Sequence, residues 1–190
     1  MSASRVSLPG LRSPGGGFDE PFAMLDACHE RVRRSLDLLA RLRAYLHDKG
    51  CDDSARQAAR DVLRYFDIAA PLHHQDEELH VFPPLLAQGD AQVVQWVRQL
   101  QRDHVDMARH WAAARGALQA LADGEITQWT AQQEALLERF GAGYDEHLRR
   151  EDCDIYPAAR AVLDRQAEQA MGAEMAQRRG AVRPPGDGRR

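Results

Sequence analysis

Cysteine is scarce in this sequence, and the few that occur form no pattern. Cys28, Cys51 and Cys153 are scattered over 190 residues and include no Cys-x-x-Cys pair. An odd number of scattered cysteines argues against a disulfide framework and indicates reduced thiols. We therefore expect a cytoplasmic protein.

Long apolar runs and an excess of basic residues are also missing. No stretch approaches the roughly 18 consecutive apolar residues that a membrane-spanning helix needs. The N-terminus lacks the charged and then apolar segments of a secretion signal. The formal net charge is -4, which gives no reason to expect a nucleic acid as partner. We expect neither nucleic acid nor membrane as a partner.

Alternation of apolar and polar residues with a period of two, which is typical of half-buried strands, is absent. Apolar residues instead recur at steps of three and four in four stretches, which predicts four amphipathic helices. The first should end at Lys49-Gly50, the third should cover about 91–122, and the fourth should start near Glu125. In the second helix, Pro71 should kink or restart the helix, and Pro83 should distort or end its last turn.

The predicted domain is one bundle with an irregular segment on each side. Four helices joined by short loops predict an all-α, up-down-up-down antiparallel four-helix bundle over residues 19–170. Residues 1–18 are rich in Ser, Gly and Pro, and we expect a disordered N-terminal segment. Residues 171–190 turn to Gly, Pro and Arg, which predicts a disordered basic tail.

Two stretches of the sequence repeat one pattern. Each begins with a His, has a Glu four residues later, and reaches an aromatic-Pro pair nine and ten residues after the His. The stretches run from His73 to Pro83 and from His147 to Pro157. Positions i and i+4 lie on the same face of a helix, so the His and the Glu of each stretch point to one place. This is the placement that a metal ion needs from two ligands on one helix.

The other two helices each carry one His on the apolar face. His29 precedes His73 by 44 residues, and His104 precedes His147 by 43. Each half of the chain is then a helical hairpin, and the two hairpins would bring four imidazoles and two carboxylates together in the core. A single His on an apolar face is more often a core residue with satisfied hydrogen bonds. Two buried glutamates, however, are costly without a nearby positive charge, and no Lys or Arg shares their inward positions.

A bound cation is the natural compensation for these carboxylates. Imidazole and carboxylate without thiolate favour iron, manganese or zinc. Six ligands are too many for one ion that must also bind a substrate. They suit two ions that share bridging carboxylates.

The repeated His-x3-Glu with its trailing Phe-Pro or Tyr-Pro, together with one His on each other helix, resembles the haemerythrin-like HHE cation-binding family. The resemblance covers roughly residues 19–165. It implies an up-down four-helix bundle with two iron ions in a non-haem di-iron centre that has an oxo or hydroxo bridge. Carried over by position, the implied metal ligands, with both glutamates bridging, are His29, His73, Glu77, His104, His147 and Glu151.

The sequence departs from the oxygen-carrying haemerythrins at two positions. Those proteins have a second His four residues after the one on the third helix, where this chain has Ala108. They also have an Asp five residues after the last His, where Asp152 lies beside Glu151. The four-His, two-Glu set looks more like the iron-centre repair and iron-sensing branches of the family. Whether His74, Glu78 or Asp152 replaces one of the implied ligands stays open.

The resemblance implies a protein that binds dioxygen, nitric oxide or peroxide, or that stores and delivers iron. An enzyme at the same centre is the first alternative, with peroxidase-like activity, nitric oxide reduction or iron-centre repair. A signalling or structural bundle that the metal only stabilises is the second. Tyr144, three residues before His147, is either a hydrogen-bond donor behind the site or core packing.

Overall fold

The computed structural model describes residues 17–181, and this part of the chain is all-helical. It contains five helices, where we expected four. They are α1 (Pro21–Lys49), α2 (residues 53–88), α3 (Ala91–Ala122), α4 (residues 131–162) and α5 (Arg165–Arg178). Over residues 17–181, no helix has the length and apolar character to cross a membrane.

Wide π turns interrupt α2 and α4 without ending them. In order, α2 consists of Asp53–Arg64, the π turn Tyr65–Ala69, Ala70–Asp76, the π turn Glu77–Val81 and Phe82–Gln88. Likewise, α4 consists of Ala131–Ala142, a break at residue 143, Tyr144–Arg150, the π turn Glu151–Ile155 and Tyr156–Val162.

Each π turn is followed by a proline in the first turn of the next segment, namely Pro71, Pro83 and Pro157. Proline has no N–H to donate and clashes with the carbonyl four residues earlier, whereas a π turn locally changes the bonding pattern to i→i+5. The helix therefore continues past both prolines, with a π turn before each. We expected Pro71 to kink or restart the helix and Pro83 to distort or end its last turn, and the structure shows local distortion without an end.

Most of the predicted helix ends agree with the structure. Gly50 follows α1 with φ 80, a left-handed conformation that suits glycine. The Asp52 side chain accepts a hydrogen bond from the Ala55 N–H at 2.9 Å and caps α2. The bounds of α3 are those that the sequence predicts.

The start of α4 differs from the prediction. The helix begins at Ala131, not near Glu125, because Thr130 and Gln133 form a capping box there. The loop before it is held to α3 by the Trp129 indole N–H, which donates to the Ala117 carbonyl at 3.0 Å.

The fifth helix corrects the expectation of a disordered tail from residue 171. Met171 and Met175 are buried against the bundle, and this apolar contact is the physical reason for the order. At its end, Arg178 and Arg179 pair with the fully buried Asp76 at 3.0 and 2.6 Å. Residues 1–16, nearly all of the expected N-terminal segment, and residues 182–190, the last part of the expected tail, lie outside the described residues.

Ion pairs and one hydrogen bond show that two pairs of neighbouring helices run in opposite directions. Between α1 and α4, Arg33 meets Asp152 and Arg43 meets Glu134, each at 2.6 Å. Between α2 and α3, residue 67 contacts residue 115 and residue 78 contacts residue 101. In both pairs, sequence numbers rise on one helix as they fall on the other.

The core consists of two apolar clusters with a polar layer between them. One cluster includes Val32, Ala70, Met107 and Tyr144. The other includes Leu25, Val81, Leu100 and Ile155. On each of the first four helices, the histidine and any glutamate of the predicted site lie between a member of one cluster and a member of the other.

Candidate metal centre

The polar layer contains all six of the residues that the sequence singled out. One histidine comes from each of α1 to α4, and one glutamate comes from each of α2 and α4. The exposed fraction of every one is 7% or less, and both glutamates are 0% exposed. The six are His29, His73, Glu77, His104, His147 and Glu151.

The two carboxylates lie between histidines of both halves of the chain. Glu77 Oε1 is 3.6 Å from His73 Nε2 and 3.9 Å from His29 Nε2, while its Oε2 is 3.4 Å from His104 Nε2. Glu151 Oε2 is 3.2 Å from His29 Nε2, and its Oε1 is 3.0 Å from His147 Nε2. The centre thus has two sides, one with the histidines of α1 and α2 and the other with those of α3 and α4. Each glutamate has one oxygen near each side.

Most of these facing atoms make no hydrogen bond. In the described part of the chain, the buried side-chain atoms without a partner include Glu77 Oε2, both carboxylate oxygens of Glu151, His104 Nε2 and His147 Nε2. Lone pairs of buried carboxylates without partners cost several kcal/mol unless a cation compensates them. The nitrogens and oxygens converge on shared points, which is the arrangement that fits metal ions.

Acidic residues lie behind three of the four histidines. The Nδ1 atoms of His29, His104 and His147 are 2.6, 3.0 and 3.5 Å from oxygens of Asp152, Glu78 and Asp103. A carboxylate at Nδ1 fixes the orientation of an imidazole and leaves Nε2 to face a metal. Asp152 and Glu78 therefore lie behind the imidazoles, not among the converging atoms. His73 differs, since its buried Nδ1 has no partner.

His74 lies beside His104 and His147, at the edge of the centre. Its ring stacks on that of His104, with 4.0 Å between centroids and 12° between planes. Its donor atom lies within 4.8 Å of those of His104 and His147, so these three form one metal-capable group. His29, His73, Glu77 and Glu151 form another. Ala108, at the position of the missing second His on α3, is exposed.

Tyr156 is a functional candidate that the sequence analysis missed. Its hydroxyl donates to Glu77 Oε1 at 2.5 Å and lies 3.0 Å from His29 Nε2. Burial, followed by the charges of Glu77 and Glu151, holds the Tyr156 pKa well above its usual value, so the phenol is protonated. The sequence did contain a signal for Tyr156, since the second repeat has Tyr where the first has Phe.

Tyr144 is buried in the apolar cluster, against Phe140 and Phe66.

The imidazoles and carboxylates hold each other in charged forms. Burial lowers the pKa of a histidine, but the surrounding carboxylates outweigh it and raise the pKa of His29 to about 12 and of His104 to about 11. The His147 pKa is raised to about 9 in the same way. Burial opposes ionisation of Glu77 and Glu151, yet the histidines around them hold both pKa values below the usual range.

His73 and His74 behave differently from the other histidines. Burial lowers the pKa of both, and for His74 the neighbouring His104 adds to the shift. These two imidazoles are therefore neutral and offer lone pairs at neutral pH, as a metal ligand must.

A surface groove reaches one side of the centre. It encloses about 430 Å³ between α3 and α4, and its lining includes Trp96, Leu100, Gly143 and His147. A larger groove of about 1270 Å³ runs along α5 beside Phe18, and none of its lining residues belongs to the centre.

Comparison with known proteins identifies the family of this chain. The model of a family described as the Hemerythrin HHE cation binding domain matches residues 20–159. A Haemophilus influenzae protein described as uncharacterized is 33% identical over 162 residues, which are 85% of this chain and 91% of that protein. The matched range contains all six residues of the polar layer, and the resemblance seen in the sequence is confirmed. The chain belongs to the haemerythrin HHE cation-binding domain family.

Proposed function

We propose that the centre holds two iron ions and that the protein binds a small ligand there, namely dioxygen, nitric oxide or peroxide. The observation that carries this proposal is the division of the donor atoms into two groups with a glutamate oxygen facing each side. Such a division suits two ions better than one.

The donor groups suggest which residues would hold each ion. His29 and His73 would hold the first ion, and His104, His147 and His74 the second. Glu77 and Glu151 would bridge the two. Imidazole and carboxylate ligands suit iron, manganese and zinc. Iron would supply the redox chemistry and the open coordination position that a diatomic ligand or peroxide requires.

His74 helps to distinguish binding of a small ligand from storage of iron. The missing second His on α3 argues against a reversible oxygen carrier, but His74 supplies a fifth imidazole from α2 to the same side of the centre. This supports ligand binding over storage of iron alone.

The protein around the centre would control access to it. The apolar clusters on both sides exclude water, so electrostatic interactions at the centre are strong. The groove beside His147 offers a path for a molecule of two or three atoms. We infer further that α1 to α4 form the up-down bundle of the family, as the antiparallel pairs support. A cytoplasmic location is part of the proposal, and the three free cysteines support it.

Iron content and spectra test this function. Protein from iron-supplemented cells should contain about two irons per chain and show near-ultraviolet charge-transfer bands that change when nitric oxide is added. His104→Ala should lower the iron content, whereas His110→Ala, on the same helix outside the metal-capable groups, should not. Fewer than about one iron per chain, unchanged by His104→Ala, would refute the proposal.

A further inference from the structure

The two repeated motifs use their aromatic residues in the same way. Phe82, nine residues after His73, stacks on His104 with 5.6 Å between centroids and 22° between planes. Tyr156, nine residues after His147, stacks on His29 with 5.1 Å and 17°. Each aromatic ring thus covers the single histidine of the other hairpin. The two halves differ here by one hydroxyl group, and Phe82 shows that the stacking itself does not require it.

The hydroxyl of Tyr156 lies where a metal ligand would lie. Two ligand atoms held at right angles, each ~2.1 Å from an ion, are about 3 Å apart. Tyr156 Oη is 2.5 Å from Glu77 Oε1 and 3.0 Å from His29 Nε2. Glu77 Oε1 is in turn 3.6 Å from His73 Nε2. The separation from His29 Nε2 matches this value, and the separation from Glu77 Oε1, a hydrogen bond in the structure, is shorter. The phenol oxygen is thus close enough to both donor atoms to share an ion with them.

A second difference between the repeats complements the first. The residue after the motif histidine is His74 in the first repeat and Leu148 in the second. Leu148 is buried in an apolar cluster, whereas His74 belongs to the second donor group. The second donor group therefore has one donor that the duplicated pattern does not supply, and the Tyr156 hydroxyl lies beside two members of the first group.

We propose that Tyr156 is a ligand of the ferric ion held by His29 and His73. The inference rests on the proposed iron centre and adds a residue to it. On coordination, the phenol O–H bond breaks, an oxygen–iron bond forms, and one proton leaves to solvent. The hydrogen bond to Glu77 is then replaced by the bond to iron, and no electron is transferred. Phenolate is a hard oxygen ligand and binds trivalent iron in preference to soft ions.

The colour of the ferric protein tests this ligand. A phenolate bound to ferric iron gives a visible charge-transfer band, which imidazole and carboxylate ligands do not. The full chain, stripped of metal and reloaded with ferric iron, should show this band together with about two irons per chain. Excitation within the band should enhance phenolate ring vibrations in the Raman spectrum. Zinc-loaded protein should be colourless.

Variants identify the tyrosine. Tyr156→Phe should abolish the band and keep the iron content, since Phe82 shows that a phenylalanine fits the equivalent position. Tyr144→Phe removes another buried hydroxyl from α4 and should keep the band. Two irons per chain without the band, or a band unchanged in Tyr156→Phe, would overturn the role of Tyr156 and leave the iron centre standing. A chain that takes up no iron would overturn both. If Tyr156→Phe does not fold, the Raman spectrum of the unaltered chain decides the question.

Discussion

The Nδ1 atom of His29 lies 2.6 Å from a carboxylate oxygen of Asp152, a residue 123 positions further along the chain. The second oxygen of the same carboxylate pairs with Arg33, also at 2.6 Å. Asp152 thus joins α4 to α1 at two points and determines which nitrogen of His29 faces the centre. The sequence left open whether Asp152 is itself a ligand, and in the structure it lies behind a histidine.

Removal of this carboxylate should weaken metal binding. Asp152→Ala leaves His29 free to change its orientation and tautomer, and the loss of such a partner typically costs 10–100-fold in metal affinity. A competition titration with a chelator measures the change. Asp154→Ala, two residues further on the same π turn, is the matched control and should leave the affinity within about twofold. Equal affinities for the two variants would contradict the role that we assign to Asp152.

His74 should be needed for one of the two ions only. In His74→Ala the second donor group loses one of its three imidazoles, while the first group is intact. We expect the second iron of a stepwise titration to bind at least about tenfold more weakly, as losses at metal sites generally do, and the first to bind as before. His110→Ala should bind both irons normally. Equal weakening of both steps would show that His74 acts on the fold and not on one ion.

The main features of the site could be predicted because they depend on helix periodicity. A His and a Glu four residues apart share a face of any helix, and the matched spacings to His29 and His104 place all four imidazoles at one depth. Tyr156 could not be placed in this way. In a regular helix, nine steps of about 100° put it on the face opposite His147. The π turn Glu151–Ile155 absorbs one residue, so Tyr156 instead lies roughly 80° from His147 and reaches the centre.

The fifth helix escaped prediction for a different reason. Its sequence has few large apolar residues, and its buried side chains are those of Met171 and Met175. The arginines at its end look like a solvated basic tail until their partner is known. That partner, Asp76, lies 103 residues earlier than Arg179, and no local pattern connects them.

Metal uptake should release protons. The pKa values of His29, His104 and His147 are raised to about 12, 11 and 9, so without metal all three are protonated at pH 7.5. A ligand imidazole must offer a lone pair, and two ions should therefore displace about three protons per chain from these residues. His73 and His74, whose pKa values are lowered, should release none.

The direction of the pH dependence follows from this release. Because bound metal and protons compete, the apparent affinity should rise with pH, about tenfold per pH unit for each proton released. Zinc added to weakly buffered apoprotein with an indicator dye measures the protons directly, and further zinc after saturation serves as the control. An apparent affinity that stays constant between pH 6 and 8, with no protons released, would show that the imidazoles are neutral before metal binds.

The pairing of α5 with Asp76 should contribute strongly to stability. Asp76 is 0% exposed and its carboxylate pairs with Arg178 and Arg179. The double variant Arg178→Ala, Arg179→Ala leaves a buried charge without a partner, which typically costs about 3–5 kcal/mol. Urea unfolding of the apoprotein measures the loss. Arg165→Ala, at the exposed start of the same helix, should change the free energy of unfolding by less than about 0.5 kcal/mol.

Addition of Asp76→Asn to the double variant distinguishes the loss of charge pairing from the loss of side-chain packing. An amide without a partner costs less to bury than a carboxylate, so part of the stability should return, whereas no recovery would attribute the loss to packing of the arginine side chains.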